Sequence, residues 1–226
     1  MSDSSSHVCS RPLVVGVSGA SGLIYAVRSL KLLLDCDQAI DLVASRASFQ
    51  VWQAESGVRM PTDCDRQAEF WREQAGSDGG KLTCHAWGDV GASIASGSYR
   101  TQGMLVIPCS MSTVAKLAAG LSSDLLERAA DVHIKEGRTL AIVPRETPLS
   151  AIHLRNLLTL AEAGVGIVPA IPAWYHQPQT IEDLVDFVVI RALDRLGIDL
   201  PTNVIQRWTG PIYRRSIESS SDSERA

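Results

Sequence analysis

The 226-residue chain is 45% hydrophobic, 20% charged and 5% aromatic, with a mean hydropathy of +0.06 and a formal net charge of −4. That length suits one α/β domain with a sizeable core, and the acidic balance argues against a nucleic-acid binder, which carries a basic patch or stripe. No apolar run is long enough to span a membrane, and the polar, serine-rich N-terminus lacks the apolar core of a signal peptide.

In chain order, residues 1–11 are expected to be a flexible tail, 12–213 a single folded domain and 214–226 a second flexible tail. Residues 13–17 (LVVGV) read as a buried strand, followed by a Gly/Ser loop and a helix over 24–34. A second strand is expected at 40–44 and a helix from 47 towards 55. The stretch 56–80 is the least regular, with a strand after it at 82–87. Strands at 104–107, 140–143 and 165–168 each end in proline, and helical patterns fill 112–119, 124–135, 150–163 and 181–196. Thr180 and Asp183 have capping-box spacing at the start of the last helix. Strands alternating with helices predict βαβ units: a Rossmann-like, flavodoxin-like three-layer sandwich with a mostly parallel sheet. Ligands in such sheets sit outside the carboxyl ends of the strands.

Polar and small residues gather at those ends. The loop Gly16-Val-Ser-Gly19-Ala20-Ser21-Gly22 lies between a strand and a helix, where glycines let the backbone approach a phosphate and free amides face it. A dehydrogenase reading is disfavoured: Tyr25 stands where the third glycine would be, and no Tyr-x-x-x-Lys occurs. Strand two ends in Ser45-Arg46 rather than in an acid that would grip an NAD ribose, which leaves NADP as a weaker possibility. A second constellation is a set of cations in an acidic chain. Arg128 and Lys135 are seven residues apart on one helix, Arg145 follows a strand, and Arg191 shares a stripe with Leu184, Phe187 and Val188 that should be buried. A buried arginine needs a carboxylate or a bound anion, and guanidinium groups match phosphate geometry. Glu55 and Glu146 are candidate acids, although Glu55 by itself reads as a helix-surface residue. Trp174, Tyr175 and Trp208 are aromatic candidates able to face a cation, or equally core or interface filler. The five cysteines and five histidines show no metal-ligand spacing, so no metal and reduced thiols in the cytoplasm are expected. Cys109 reads as a small buried residue rather than a nucleophile.

Four stretches resemble the UbiX-type flavin prenyltransferases: VSGASG (17–22), PCSMSTVAKLAAG (108–120), LLERAADVHIKEGRTLAIVPRETPLSAIHLRNLL (125–158) and PAWYHQPQTIEDLVDFVV (172–189). VPRETPLSAIHL followed by the YHQPQ turn is the specific part. The resemblance implies FMN contacts at Gly19, Ala20, Ser21, Ser45, Ser110, Met111, Ser112, Thr113 and Arg145. It implies a dimethylallyl phosphate pocket at Tyr175 and Arg191, with Arg145, Arg128 and Lys135 facing the phosphate and the last two supplied by a neighbouring subunit of a homo-oligomer, expected to be a dodecamer. Ser96–Ser98 would fall in a loop lining such sites. Glu146 would donate a proton to the departing phosphate, Ser21 and Glu55 would assist rearrangement and proton removal, and Trp208 would face an allylic cation. The reaction so implied joins a dimethylallyl group to N5 and C6 of reduced FMN without a metal, for use by a UbiD-type decarboxylase.

Trp174 departs from the family's usual phenylalanine, and Arg155 from its usual acid. The alternatives are a decarboxylase of the same fold and a carrier subunit without catalysis. The cysteine decarboxylases carry Pro-Ala-Ser-Ala-Asn-Thr where this chain has Pro-Cys-Ser-Met-Ser-Thr, and their Pro-x-Met-Asn is absent.

Overall fold

The computed structural model describes residues 11–200; Trp208, the expected domain end at 213 and both expected tails apart from Arg11 lie outside them. Strands β1 (Leu13–Val17), β2 (Ile40–Ala44), β3 (Leu82–His85), β4 (Gly103–Cys109), β5 (Leu140–Pro144) and β6 (Gly166–Ile167) form one sheet in the order β3-β2-β1-β4-β5-β6. Every pairing is parallel. The helices are α1 (Ile24–Asp35), α2 (Arg46–Ser56), α3 (Cys64–Ala75), α4 (Met111–Ala118), α5 (Leu125–Lys135), α6 (Ala151–Glu162) and α7 (Ile181–Arg195), with a short 3-10 helix at Ser93–Ala95.

The apolar strands are buried on both faces, as parallel strands covered by crossover helices must be. Leu13, Val15 and Val17 point into a core shared with α1, α2, α3 and α7. Val14 points the other way, into a core shared with α4, α5 and α6. The sandwich therefore has three layers, and α5 and α7 lie on opposite faces of the sheet. Strand order runs outward from β1 to β2 and β3, then returns to β4 on the other side of β1. In sheets of this kind the crevice for a ligand opens at that reversal, here the carboxyl ends of β1 and β4.

One α-helix was not expected. α3 occupies the stretch read as irregular; Asp63 caps it by accepting from the Arg66 amide (3.0 Å) and Gly76 ends it at φ 60°. Its buried positions are Gln67, Phe70, Trp71 and Ala75. A glutamine within the stripe weakens the periodicity that would mark a helix. Trp71 is fully buried and meets Trp52 and Phe70 edge-to-face at 5.3 and 5.6 Å. Arg72 donates to the Gly79 and Gly80 carbonyls, both at 2.8 Å, and so closes the loop into β3.

Candidate active site

The candidate residues follow the ends of five strands, β1, β2, β4, β5 and β6. After β1, Gly22 takes φ 101°, a backbone conformation that glycine adopts without strain. Gly19 lies against α2: a Cβ there would stand 2.5 Å from the Ala47 Cβ. The loop between them is clamped from two sides. From β5, Arg145 Nε donates to the Ser21 carbonyl at 3.0 Å. From α2, the Glu55 carboxylate accepts from the Gly22 amide (2.8 Å) and the Leu23 amide (3.1 Å). The anion at the start of α1 is thus the chain's own glutamate, which replaces the expectation that this helix end is free to receive a phosphate.

The end of α4 is built differently. Ser110 caps it, its Oγ accepting from the Thr113 amide at 3.2 Å and lying 3.0 Å from the Thr113 hydroxyl. The first amides of a helix lack intrahelical partners, so this turn, with Met111 and Ser112, directs donors to the crevice. Ser45 caps α2 in the same way, accepting from Ser48 N at 3.3 Å. Sequence reasoning missed Ser18, which ties the two sides of the crevice together: its buried hydroxyl donates to the Pro108 carbonyl (2.8 Å) and accepts from Ser110 N (2.7 Å). Its signal was a small polar residue directly after a buried strand. Cys109 is fully buried, and burial pushes its thiol up, so it stays protonated.

A separate cavity wall lies along α7 and the end of β6. Ile167, Pro169, Phe187, Val188 and Arg191 line a cavity of about 540 Å3. Tyr175 meets Phe187 edge-to-face at 5.8 Å, and His176 stacks on Phe187 at 5.4 Å with its plane within 5°. Neither His176, noted only as part of the YHQPQ turn, nor Phe187, noted only in the apolar stripe of the last helix, is among the expected site residues, because their stacking depends on the fold. The expected burial of Arg191 is wrong. Its side chain is 61% exposed and pairs with Asp194 at 3.2 Å. α7 buries Val185, Val188, Val189, Ala192 and Leu193, which sets Arg191 at the margin of the buried stripe, facing the cavity rather than the core.

Arg128 and Lys135 do not join this wall. They lie on α5, across the sheet, paired with Asp131 (3.2 Å) and Glu136 (2.7 Å). α5 leads into the start of β5, so Lys135 sits at the amino-terminal edge of the sheet, beside Gly97. Ser96 and Ser98 are there too, their hydroxyls 2.9 Å apart. Glu146 is exposed beside the rim, its Oε1 accepting from the Thr147 amide at 3.1 Å. Among the described residues no cluster of His, Cys, Asp and Glu could hold a metal, and no helix is long and apolar enough to cross a membrane.

The flavoprotein family model matches residues 1–193. A flavin prenyltransferase UbiX from Synechocystis is 73% identical over 201 residues, covering 88% of this chain and 97% of that protein. Among solved structures, AnUbiX in complex with FMN and dimethylallyl pyrophosphate superposes with a TM-score of 0.77 at 37% identity, covering 89% of this chain and 98% of that one. A dodecameric FMN-dependent UbiX-like decarboxylase from Escherichia coli O157:H7 gives a TM-score of 0.75 at 40% identity, covering 88% of this chain and all of that one (100%). With a rim of capped helix ends at the sheet's point of reversal and near full-length kinship, the chain belongs to the flavoprotein family and, within it, to the UbiX-type flavin prenyltransferases.

Proposed function

We infer that this chain is an enzyme that transfers a dimethylallyl group from dimethylallyl phosphate to N5 and then C6 of reduced FMN. The observation that carries the reading is the 3.0 Å bond from Arg145 to the Ser21 carbonyl. It brings Arg145 against the Gly/Ser loop, with Glu146 next to it in the chain, and so supports a site at the ends of β1 and β5.

The residues present fit FMN. Gly19 and Ala20 keep the loop low, and the α4 first turn with the Ser110 and Thr113 hydroxyls suits a phosphate. Ser45 and Arg145 close the two sides, with Met111 and Ser112 beneath. Bound reduced FMN supplies the nucleophilic nitrogen and the adjacent ring carbon. Tyr175 and Arg191, with Phe187 as the apolar wall, receive the allyl phosphate. Arg145 holds its charge, and Arg128 and Lys135 add theirs from a neighbouring copy, because within one copy they lie across the sheet from Arg191. The allyl C–O bond breaks with its electron pair leaving on phosphate, and Glu146 donates a proton to that oxygen. N5 gives up its proton as it bonds the allyl carbon; in the second step the prenyl double bond takes up a proton as its tertiary carbon bonds C6, and Ser21 and Glu55 take up the proton released from C6. Trp208 is kept as the aromatic partner of the allylic cation. No step needs a metal. The assembly is a homo-oligomer, a dodecamer like the Escherichia coli relative, and a separate UbiD-type decarboxylase consumes the product. All four cysteines among the described residues are unpaired, which supports a reducing, cytoplasmic setting.

Anaerobic incubation of the purified chain with reduced FMN and dimethylallyl phosphate, followed by mass measurement of the flavin, tests this. A gain of one C5 unit is expected, and Glu146→Gln should slow it by about 100-fold or more. Bound flavin of unchanged mass would favour the carrier or decarboxylase readings.

A further inference from the structure

We propose that α6 is a homotypic interface, pairing antiparallel across a two-fold axis with α6 of a second copy of this chain. α6 buries only Leu160 fully, against the core beneath α4 and β6. Beside the exposed Arg155, Thr159 and Glu162, and apart from the exposed Ile152, its surface nonetheless carries an apolar stripe. Ala151, Leu154, Leu158 and Ala161 are all exposed and are spaced three, four and three residues apart, with Leu154 and Leu158 at 54% and 58%. That spacing makes a single stripe along a helix, the seam geometry of a helix pair. The small alanines at both ends and the leucines in the middle leave room for a close approach.

The order of the stripe identifies the occupant. Ala-Leu-Leu-Ala reads the same in both directions about Asn156. When two copies run antiparallel about that point, Leu154 faces Leu158 of the second copy and Ala151 faces Ala161. An isologous contact needs this self-complementarity, in which residue i meets j and j meets i. An unrelated partner would place no such demand on the order. The proposal draws on the functional reading only in expecting an assembly; a dodecamer closed by dihedral or tetrahedral symmetry contains two-fold axes. Leu149, also exposed at 41%, continues the patch beyond the first turn.

The test uses the full chain and needs no flavin chemistry, so its failure is separable from failure of the prenyl-transfer reading. Light scattering after size exclusion should show Leu154→Glu and Leu158→Glu at a lower mass than wild type, with unchanged far-UV circular dichroism. A wild-type monomer, or glutamate variants of unchanged mass, would mean that something other than a second copy covers α6 and would overturn the proposal. Register is read by oxidation. Ala151→Cys combined with Ala161→Cys should give a covalent dimer above the wild-type background. Neither single variant should, because in the antiparallel pair equivalent alanines lie about 15 Å apart along the helix, beyond disulfide reach. Cross-linking by Ala151→Cys alone would indicate a parallel pair and overturn the assignment. Should the glutamate variants misfold, the cross-link decides by itself.

Discussion

Glu55 shows how one side chain shapes a ligand site without touching the core. Its two oxygens each hold a backbone amide of the loop proposed to pass beneath the flavin. Hydrogen bonds to a charged acceptor are among the stronger kind. Glu55→Ala should therefore loosen residues 19–23 and weaken FMN binding by about 10-fold or more, measured by quenching of flavin fluorescence. Glu55→Gln should resemble alanine more than wild type, because its amide nitrogen cannot accept from the second N–H. Gly19 acts by absence. Since a Cβ would meet Ala47 at 2.5 Å, Gly19→Ala should push α2 from the loop and cost about 1–3 kcal/mol in urea unfolding. Adding Ala47→Gly should recover part of that loss. Glu55 was legible only as a surface acid, since its partners lie over thirty residues away in the chain. Gly19 was legible, because a glycine between a strand and a helix marks a backbone that turns tightly or is closely approached.

At the scale of elements, two features set how the layers hold together. Arg28 on α1 grips Asp186 on α7 with both nitrogens, the Nη2–Oδ2 bond being 2.7 Å, and both side chains are mostly buried. Removing the carboxylate strands a guanidinium between two helices, so Asp186→Asn should destabilise by about 1–2 kcal/mol, read as a lower Tm. α5 carries a buried imidazole. His133 Nδ1 sits 2.7 Å from the Ala129 carbonyl and Nε2 2.8 Å from the Thr101 hydroxyl. Burial, with Arg138 adding to it, lowers its pKa below the ordinary 6.5. The unfolded chain then binds the proton more readily, so stability is present above about pH 6.5 and is lost as pH falls through the lower folded value. Denaturation midpoints should drop between pH 7 and pH 5, and His133→Gln should flatten that part of the profile. The helix α3 escaped notice because its buried stripe includes Gln67, whereas the amphipathic α5 was evident from its leucines and alanines.

At the scale of the whole molecule, the sheet itself separates the cations. Arg191 stands on one layer, while Arg128 and Lys135 stand on the other. If a site draws on two copies, Arg128→Ala and Arg191→Ala assemblies, each inactive, should complement when mixed and reassembled, restoring about a quarter of the sites for random mixing. No recovery would mean that Arg128 serves elsewhere. The exposed seam of α6 offers a contact between copies on the layer that carries Arg128.

The sequence by itself determined the alternation of strand and helix, the parallel sheet and the Gly/Ser loop, because these rest on local periodicity and on glycine's backbone freedom. It also carried the motifs 108–120 and 125–158, whose match to a family needs no coordinates. Only the tertiary structure decided that Glu55 occupies the start of α1, that Ser18 bridges β1 and β4, and that Arg191 is at a margin instead of in the core. Each of these depends on where a side chain meets residues distant in sequence, and a helical period fixes a face only to within a residue or so. Arg191 stands beside the buried stripe of α7 but not in it, and that difference of a fraction of a turn separates a core charge from one that faces a cavity.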